Sequence, residues 1–249
     1  MSDRPFILVN GERVTLLTAG ALWLDAAETL VFSDLHFEKG SHFAQRGVLL
    51  PPYDTRTTLR RVATLMKTLK PRRVVSLGDA FHDGAAEARM DAEDKALLAS
   101  LTVGSDWLWI LGNHDPEPPA RFSGAVETAA RIGGLLFRHE PALSAEAGEI
   151  AGHLHPVARV RTERGAMRRR CFVTDGARLV MPAFGAYAGG LNVLDGAFAP
   201  LFAEPVAHVL GGDGVYPFWG GQSRAGPVDR LEARGYPPRS LFQRPRVDP

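Results

Sequence analysis

The chain has 249 residues, 45% hydrophobic and 23% charged, with a formal net charge of +1. That length suffices for one large α/β domain with a substantial core, and the near-zero charge excludes recognition of a polyanion by overall charge, leaving only a local basic patch for that purpose. Cys171 is the sole cysteine, which excludes an intramolecular disulfide and a cysteine-built zinc site and fits a reducing cytoplasm.

At the start of the chain, residues 1–10 lack a basic region followed by a long apolar stretch, so no signal peptide is expected. No apolar run approaches the roughly 20 residues of a membrane span, so no membrane association is expected. Residues 6–9 and 14–17 flank Asn10-Gly11, a hairpin signal. Residues 30–32 read as a buried strand ending at Ser33-Asp34. The stretch 37–52 reads as a loop, because Pro51-Pro52 closes it. Asp54 reads as the N-cap of a helix reaching Leu69, with Leu59, Val62, Met66 and Leu69 at helical spacing and Pro71 as the stop. Strands are expected at 74–77, 107–111, 135–137 and 149–151, and a helix at 86–101. A β-rich stretch follows, with segments at 157–160, 171–174, 179–181 and 191–194. The boundary of the main domain falls at about residue 210. From 211 to 249 the chain is rich in Gly, Pro and Arg and reads as an extended or weakly ordered tail.

Five of these strands are each followed at once by metal-binding side chains. The segments are Asp34-Leu35-His36, Gly78-Asp79, Gly112-Asn113-His114, His139 and Gly152-His153-Leu154-His155. In open α/β sheets, loops beyond the carboxyl ends of strands converge on one rim, so residues more than a hundred positions apart can meet there. Any one segment alone could be an ordinary turn, since Gly and Asn favour turns. All five in order supply two Asp, one Asn and up to five His, an oxygen and nitrogen set suited to a pair of divalent metals. Two such ions about 3.5–4 Å apart can clamp the attacking and leaving oxygens of an in-line displacement.

This order of motifs resembles the calcineurin-like metallophosphoesterases, and it covers residues 34–155. The resemblance implies an α/β fold, a four-layer αββα sandwich of two mixed β-sheets, and a hydrolase acting on ester bonds. It implies that Asp34, His36 and His155 hold one metal and that Asn113, His139 and His153 hold the other. Asp79 bridges the two, and His114 is a general acid or electrostatic stabiliser over the phosphate rather than a ligand. On this view a hydroxide bridging the metals attacks phosphorus in line, and His114 protonates the leaving group, since imidazoles titrate near working pH. The ligands do not select the metal, since manganese, iron, nickel, cobalt and zinc all fit them.

One position departs from many phosphatases of that superfamily, in which a carboxylate stands three residues after the Gly-Asp aspartate. Here it is His82, and Gly78-Asp79-Ala80-Phe81-His82 resembles the corresponding segment of the SbcD-type DNA nucleases. His82 is either a second active-site histidine or a supporting one. Whether Asp83 or Asp115 orients His114 stays open.

A narrower resemblance rests on residues 33–40 (SDLHFEKG), 50–55 (LPPYDT) and 182–185 (PAFG). These are similar to the bacterial ligase-associated DNA damage response endonucleases, the PdeM family. That implies a manganese-dependent endonuclease or phosphodiesterase in DNA repair, acting on single-stranded or gapped DNA beside a DNA ligase, a helicase and an exonuclease. Arg159, Arg161, Arg164, Arg168, Arg169 and Arg170 crowd one expected hairpin just after the last motif, against Glu163 alone. Such a hairpin either follows a nucleic-acid backbone or is simply a solvated charged surface. Lys39, His42 and Arg46 lie where they can reach a phosphate or base. Phe37 and Phe43 are either stacking platforms or anchors, and Trp107 and Trp109 are expected core residues. The alternative function is a phosphatase or phosphodiesterase for nucleotides or cyclic nucleotides. A non-catalytic scaffold fits poorly with so complete a ligand set. Homodimerisation stays open.

Overall fold

Asn10 (φ 50°) and Gly11 (φ 79°) both take positive φ, as the primed turn of a two-residue hairpin requires. They join β1 (Ile7–Val9) to β2 (Glu12–Leu16) in antiparallel register. The computed structural model describes residues 6–219, apart from 118, 120, 145, 163 and 164. Arg164 of the basic hairpin, the first five residues and positions 220–249 of the expected tail therefore lie outside the described residues.

From the hairpin the first sheet continues through β3 (Leu22–Leu24), β4 (Thr29–Ser33), β5 (Arg73–Leu77), β6 (Asp106–Ile110) and β7 (Ala125–Glu127), in sequence order. Strands β4 to β7 are mutually parallel, so the loops leaving β4, β5 and β6 share one rim. The second sheet contains β8 (Ala129–Ile132), β9 (Leu135–Arg138), β10 (Glu149–Ala151), β11 (Val157–Thr162), β12 (Gly165–Thr174), β13 (Leu179–Val180), β14 (Val206–Leu210) and β15 (Val215–Trp219). It too is mixed, with β10 parallel to both β9 and β13.

Alternation along the strands builds the layers. Val31, Val75, Leu77 and Ile110 point from the first sheet into a core shared with Leu135, Phe137, Ile150 and Phe172 of the second. Their neighbours Leu30, Phe32, Val74, Trp107 and Trp109 face the other way, onto Leu59, Val62 and Leu98 of the helices. Trp107 and Trp109 are thus core residues, as expected. The outer side of the second sheet packs Cys171, Val173 and Val209 under Val193, Phe198 and Phe202, which lie in turns. The two mixed sheets packed face to face, with helices outside the first, give the expected metallophosphoesterase fold. No helix among the described residues is long and apolar enough to cross a membrane.

Several local expectations are corrected. The stretch 37–52 contains a helix, α1 (Lys39–Gln45); Pro51-Pro52 constrains only the end of that stretch. Asp54 is not the cap of α2 (Asp54–Leu69), a position held by Tyr53. Its carboxylate instead accepts the Gly40 N–H at 2.9 Å, and so ties α2 to α1. The expected helix 86–101 is two, α3 (Ala86–Arg89) and α4 (Ala92–Val103), because Asp91 caps the second through the Glu93 N–H at 2.8 Å. Residues 191–194 form no strand, only a bridge from Asn192 to Val157. The sheet runs past residue 211 to Trp219 through β15, paired with β14 along its length.

His208, on β14, is buried, and burial pushes its imidazole down to about 4. The unfolded chain, with an ordinary histidine near about 6.5, takes up a proton that the folded chain resists. Stability is therefore complete above the unfolded value and falls as pH drops from 6.5 toward 4. Urea unfolding midpoints at pH 7.5 and pH 5 are expected to show this loss, and His208→Phe to reduce it. An unchanged slope in the variant would place the loss elsewhere.

Candidate metal centre

Three of the five rim strands, β4, β5 and β10, hand their loops a backbone that ordinary residues resist. Asp34 (φ 52°), His36 (φ 45°), Asp79 (φ 48°), His153 (φ 64°) and His155 (φ 46°) are all left-handed. That conformation costs roughly 1–2 kcal/mol per residue, and such strain persists only where surrounding contacts over-determine it. Here the loops bind one another. Asp34 N–H donates to Gly78 O at 3.2 Å, His36 N–H to Asp79 O at 2.9 Å, and Gly152 N–H to His139 O at 2.9 Å. Three glycines permit the approach. A Cβ on Gly78 would overlap the His139 ring, one on Gly112 would overlap Asp79, and one on Gly152 would overlap Ser33 and Asp34.

The side chains then converge in two groups. In the first, His155 Nε2 lies 3.0 Å from Asp34 Oδ1 and 3.3 Å from His36 Nε2. In the second, Asn113 Oδ1 lies 3.0 Å from His139 Nε2 and 2.9 Å from His153 Nδ1, which are themselves 3.2 Å apart. Asp79 stands between them, with Oδ2 3.9 Å from His36 Nε2 and Oδ1 3.4 Å from His139 Nε2. Donor atoms at right angles around one ion, about 2.1 Å from it, are about 3 Å apart. Paired nitrogens at that spacing share at most one proton. The donor set therefore fits a pair of cations.

The electrostatics agree. Burial works against ionisation of Asp34, yet His155, His139 and His36 hold its carboxyl below the ordinary range. Burial also opposes charge on Asp79, and His139 with the His114 N–H more than offsets it, so this carboxyl too is lowered. Burial pushes His36 down to about 3, against the pull of Asp34. His139 resists burial and is carried up to about 9 by Asp79 and Asp34. Two buried carboxylates and one proton-seeking imidazole mark a place that needs positive charge.

His114 sits at the rim, exposed, and its Nδ1 donates to the His82 carbonyl oxygen at 2.9 Å, leaving Nε2 as the outward nitrogen. Neither carboxylate considered for it makes that contact. Asp115 instead accepts four main-chain N–H groups, from Asp79 (3.0 Å), Ala80 (2.7 Å), Phe81 (3.1 Å) and Gly112 (3.1 Å). It clamps the Gly-Asp loop to the Gly-Asn-His loop. Burial, with Asp79 nearby, pushes its carboxyl up to about 6 against those donors. Asp83 pairs with Arg89 at 2.6 Å and with His42 Nδ1 at 2.7 Å.

His82 is brought into the site. Its ring stacks on His114 with centroids 5.0 Å apart and an interplanar angle of 20°, and Phe43 stacks parallel to it at 6.1 Å. His42 meets it edge-on at 4.7 Å. Burial and the charges of Lys39, His114 and His42 push His82 down to about 4, and its Nδ1 is buried without a partner. Phe43 thus serves the site, whereas Phe37 is core. Lys39 is drawn below its ordinary value by burial while Asp54, Asp79 and Asp34 oppose that shift. Arg46 is exposed at the end of α1.

Two features escaped the motif reading. Ser33 donates to Asp34 Oδ2 at 2.5 Å, and the Arg89–Asp83–His42 chain braces His82. Only the first had a signal in the sequence, the adjacency of Ser33 to Asp34. The basic hairpin divides. Arg159 and Arg168 face each other across β11 and β12, while Arg169 lies on the opposite face; the side chain of Arg161 lies outside the described residues. Arg170 is half-buried and donates to Ala183 O (2.9 Å) and Phe184 O (3.2 Å), so its contacts serve the 183–185 loop.

Two mixed sheets packed face to face, with carboxylate and imidazole groups gathered beyond the carboxyl ends of their strands, define a metallophosphoesterase. The chain belongs to the calcineurin-like phosphoesterase family, whose sequence model matches residues 28–162. As a member it is a phosphoester hydrolase of a class that uses divalent metals. Among solved structures it is similar to the Pseudomonas putida nuclease MPE, at 24% identity and a TM-score of 0.66, over 85% of this chain and 98% of that one. It also matches YfcE, a phosphoesterase from E. coli, at 13% identity and a TM-score of 0.37, over 72% of this chain and 87% of that one. No curated protein sequence matches it significantly.

Proposed function

We propose that the protein is a two-metal phosphodiesterase that cuts DNA internally, working with manganese, in the manner of the ligase-associated repair endonucleases its sequence resembles. Asp34, His36 and His155 would hold one ion, Asn113, His139 and His153 the other, and Asp79 both. When bound, the pair supplies a water of lowered pKa and neutralises charge developing on phosphorus.

The observation that carries the diester reading is the His82–His114 stack. A carboxylate in the place of His82 would repel a phosphate and hold a proton on its histidine partner. An imidazole pushed down to about 4 is neutral at pH 7 and sets no negative charge against the substrate. His114, held through Nδ1 by the His82 carbonyl, presents Nε2 to the leaving alkoxide and delivers its proton there. Phe43 and His42 fix the His82 plane. A nuclease shares the fold, which agrees with this reading, and a DNA ligase, helicase and exonuclease would be its functional partners.

Circular single-stranded DNA has no end, so only internal cleavage linearises it. Incubated with manganese, the purified protein is expected to linearise such circles and to hydrolyse bis-p-nitrophenyl phosphate. Intact circles beside hydrolysed small diesters or nucleotides would move the substrate to the small-molecule class. Inactivity on all of them with manganese, nickel, cobalt and iron would sink the proposal.

A further inference from the structure

The two arginines that face each other on the basic hairpin are set against the ordinary logic of a sheet. Arg159 on β11 and Arg168 on β12 are directly opposed in the antiparallel register, and like charges so placed destabilise a strand pair. Both are exposed. Among the described residues no carboxylate lies within 4.0 Å of either guanidinium.

Arg159 and Arg168 line a cavity of about 310 Å³ together with Val157, Ala166 and Asn192. Arg168 spends one donor on the Gly190 carbonyl, leaving the rest of its five N–H groups for another acceptor. The Asn192 side-chain oxygen accepts the Leu194 N–H at 3.1 Å, which orients the amide and leaves both protons of its N–H₂ to donate. The polar side chains at this cavity are thus two cations and an amide, set beside the apolar Val157 and Ala166, and cations with N–H donors complement a phosphate.

The cavity also adjoins the candidate metal centre. Residues 190–192 run beside residues 154–157, with Leu191 N–H donating to Leu154 O at 3.3 Å and Val157 N–H to Leu191 O at 2.9 Å. Gly190 packs so closely on the His155 carbonyl that a Cβ would overlap it. Arg168 is thereby one residue's contact away from His155.

We propose that Arg159, Arg168 and Asn192 form a second phosphate subsite, which holds a backbone phosphate of the DNA strand beside the one being cut. This rests on the DNA reading above and narrows it: of the arginines on the hairpin, these two bind the strand, and Arg170 supports the loop beneath.

The test is binding of fluorescein-labelled (dT)12 by anisotropy across a sodium chloride series, with EDTA present so that no strand is cut. Arg159→Gln and Arg168→Gln are each expected to weaken binding about tenfold at low salt and to reduce the log–log salt slope by about 0.7. Arg159→Lys, which keeps the charge, is expected to keep the slope. Lys67→Gln removes the same charge from the exposed side of α2 and is expected to change binding less than about twofold. Glutamine variants that bind no worse than Lys67→Gln, or that keep the wild-type slope, would overturn the subsite. Because cleavage plays no part in this assay, the two proposals fail separately. A protein that binds through these arginines yet leaves circles intact with manganese loses the cleavage reading and keeps the subsite.

Discussion

Asp79→Ala is expected to lower kcat for bis-p-nitrophenyl phosphate with manganese by about 10³-fold or more, since loss of several kcal/mol of charge stabilisation translates to that factor. Its two carboxylate oxygens face one donor group each, whereas Asp34, which lies 3.0 Å from His155, reaches the second group only at 3.9 Å from His139 Nδ1. Asp79 Oδ1 lies 3.4 Å from His139 Nε2 and Asp79 Oδ2 3.9 Å from His36 Nε2, so truncation strips an anionic oxygen from each side at once. The same oxygen that faces His139 also accepts the His114 N–H at 2.9 Å, so the loop carrying the proposed acid loosens too. His139 would lose one of the two carboxylates that carry it up to about 9. Steady-state kinetics over a manganese titration separates the effects. Loss of metal affinity alone would be restored at high manganese, whereas loss of the bridge lowers kcat at saturation. A variant with near wild-type kcat at saturating manganese would remove Asp79 from the centre.

Asp115→Ala is expected to damage the fold more than any ligand substitution. It deprives four main-chain N–H groups of their acceptor, and each donor left buried and unsatisfied costs about 1–3 kcal/mol. Water reaching the exposed Gly-Asn-His rim offsets part of this, which puts the loss at roughly 4 kcal/mol in urea unfolding. Asp115→Asn retains one acceptor oxygen and is expected to fall between the two. The substituted protein, where still folded, should also bind manganese about 10–100-fold more weakly, because the clamp fixes the backbone that carries Asp79 and Asn113. A loss under about 1 kcal/mol would show that the two loops hold their geometry without it.

The order of the strands and the loops they feed was readable because each apolar run ends in a chemically conspicuous residue. Asp34 follows 30–32, Asp79 follows 74–77, and Asn113 and His114 follow 107–111. Runs that are apolar throughout do not tell which side chains face which layer, so the split of Val31, Val75 and Leu77 from Leu30 and Val74 was visible only in the structure. What could not be read depended on contacts made in three dimensions. Helix α1 carries no apolar periodicity and is fixed by the bond from Gly40 to Asp54, fourteen residues on. The break between α3 and α4 turns on Asp91, a cap hidden inside a continuous helical pattern. Asp115 sits within the Gly-Asn-His-Asp motif, so its neighbourhood suggested a partner for His114. Its distance from the Gly-Asp loop, thirty-six residues in sequence and 3.0 Å in space, is invisible to spacing. The same holds for His82, whose place over the site depends on stacking with His114 and Phe43. Arg168 and Arg170 are two residues apart on one strand, and only the register and the 183–185 loop tell them apart.

The central claim is a pair of metal ions held by seven side chains on five loops. Anomalous diffraction at the manganese edge, from crystals of the protein grown with manganese, tests it most directly. The account predicts two peaks, one against Asp34, His36 and His155 and one against Asn113, His139 and His153, with Asp79 touching both and His114 touching neither. A single peak, or a second one held by His82 or His114 in place of the Asn113 group, would contradict it.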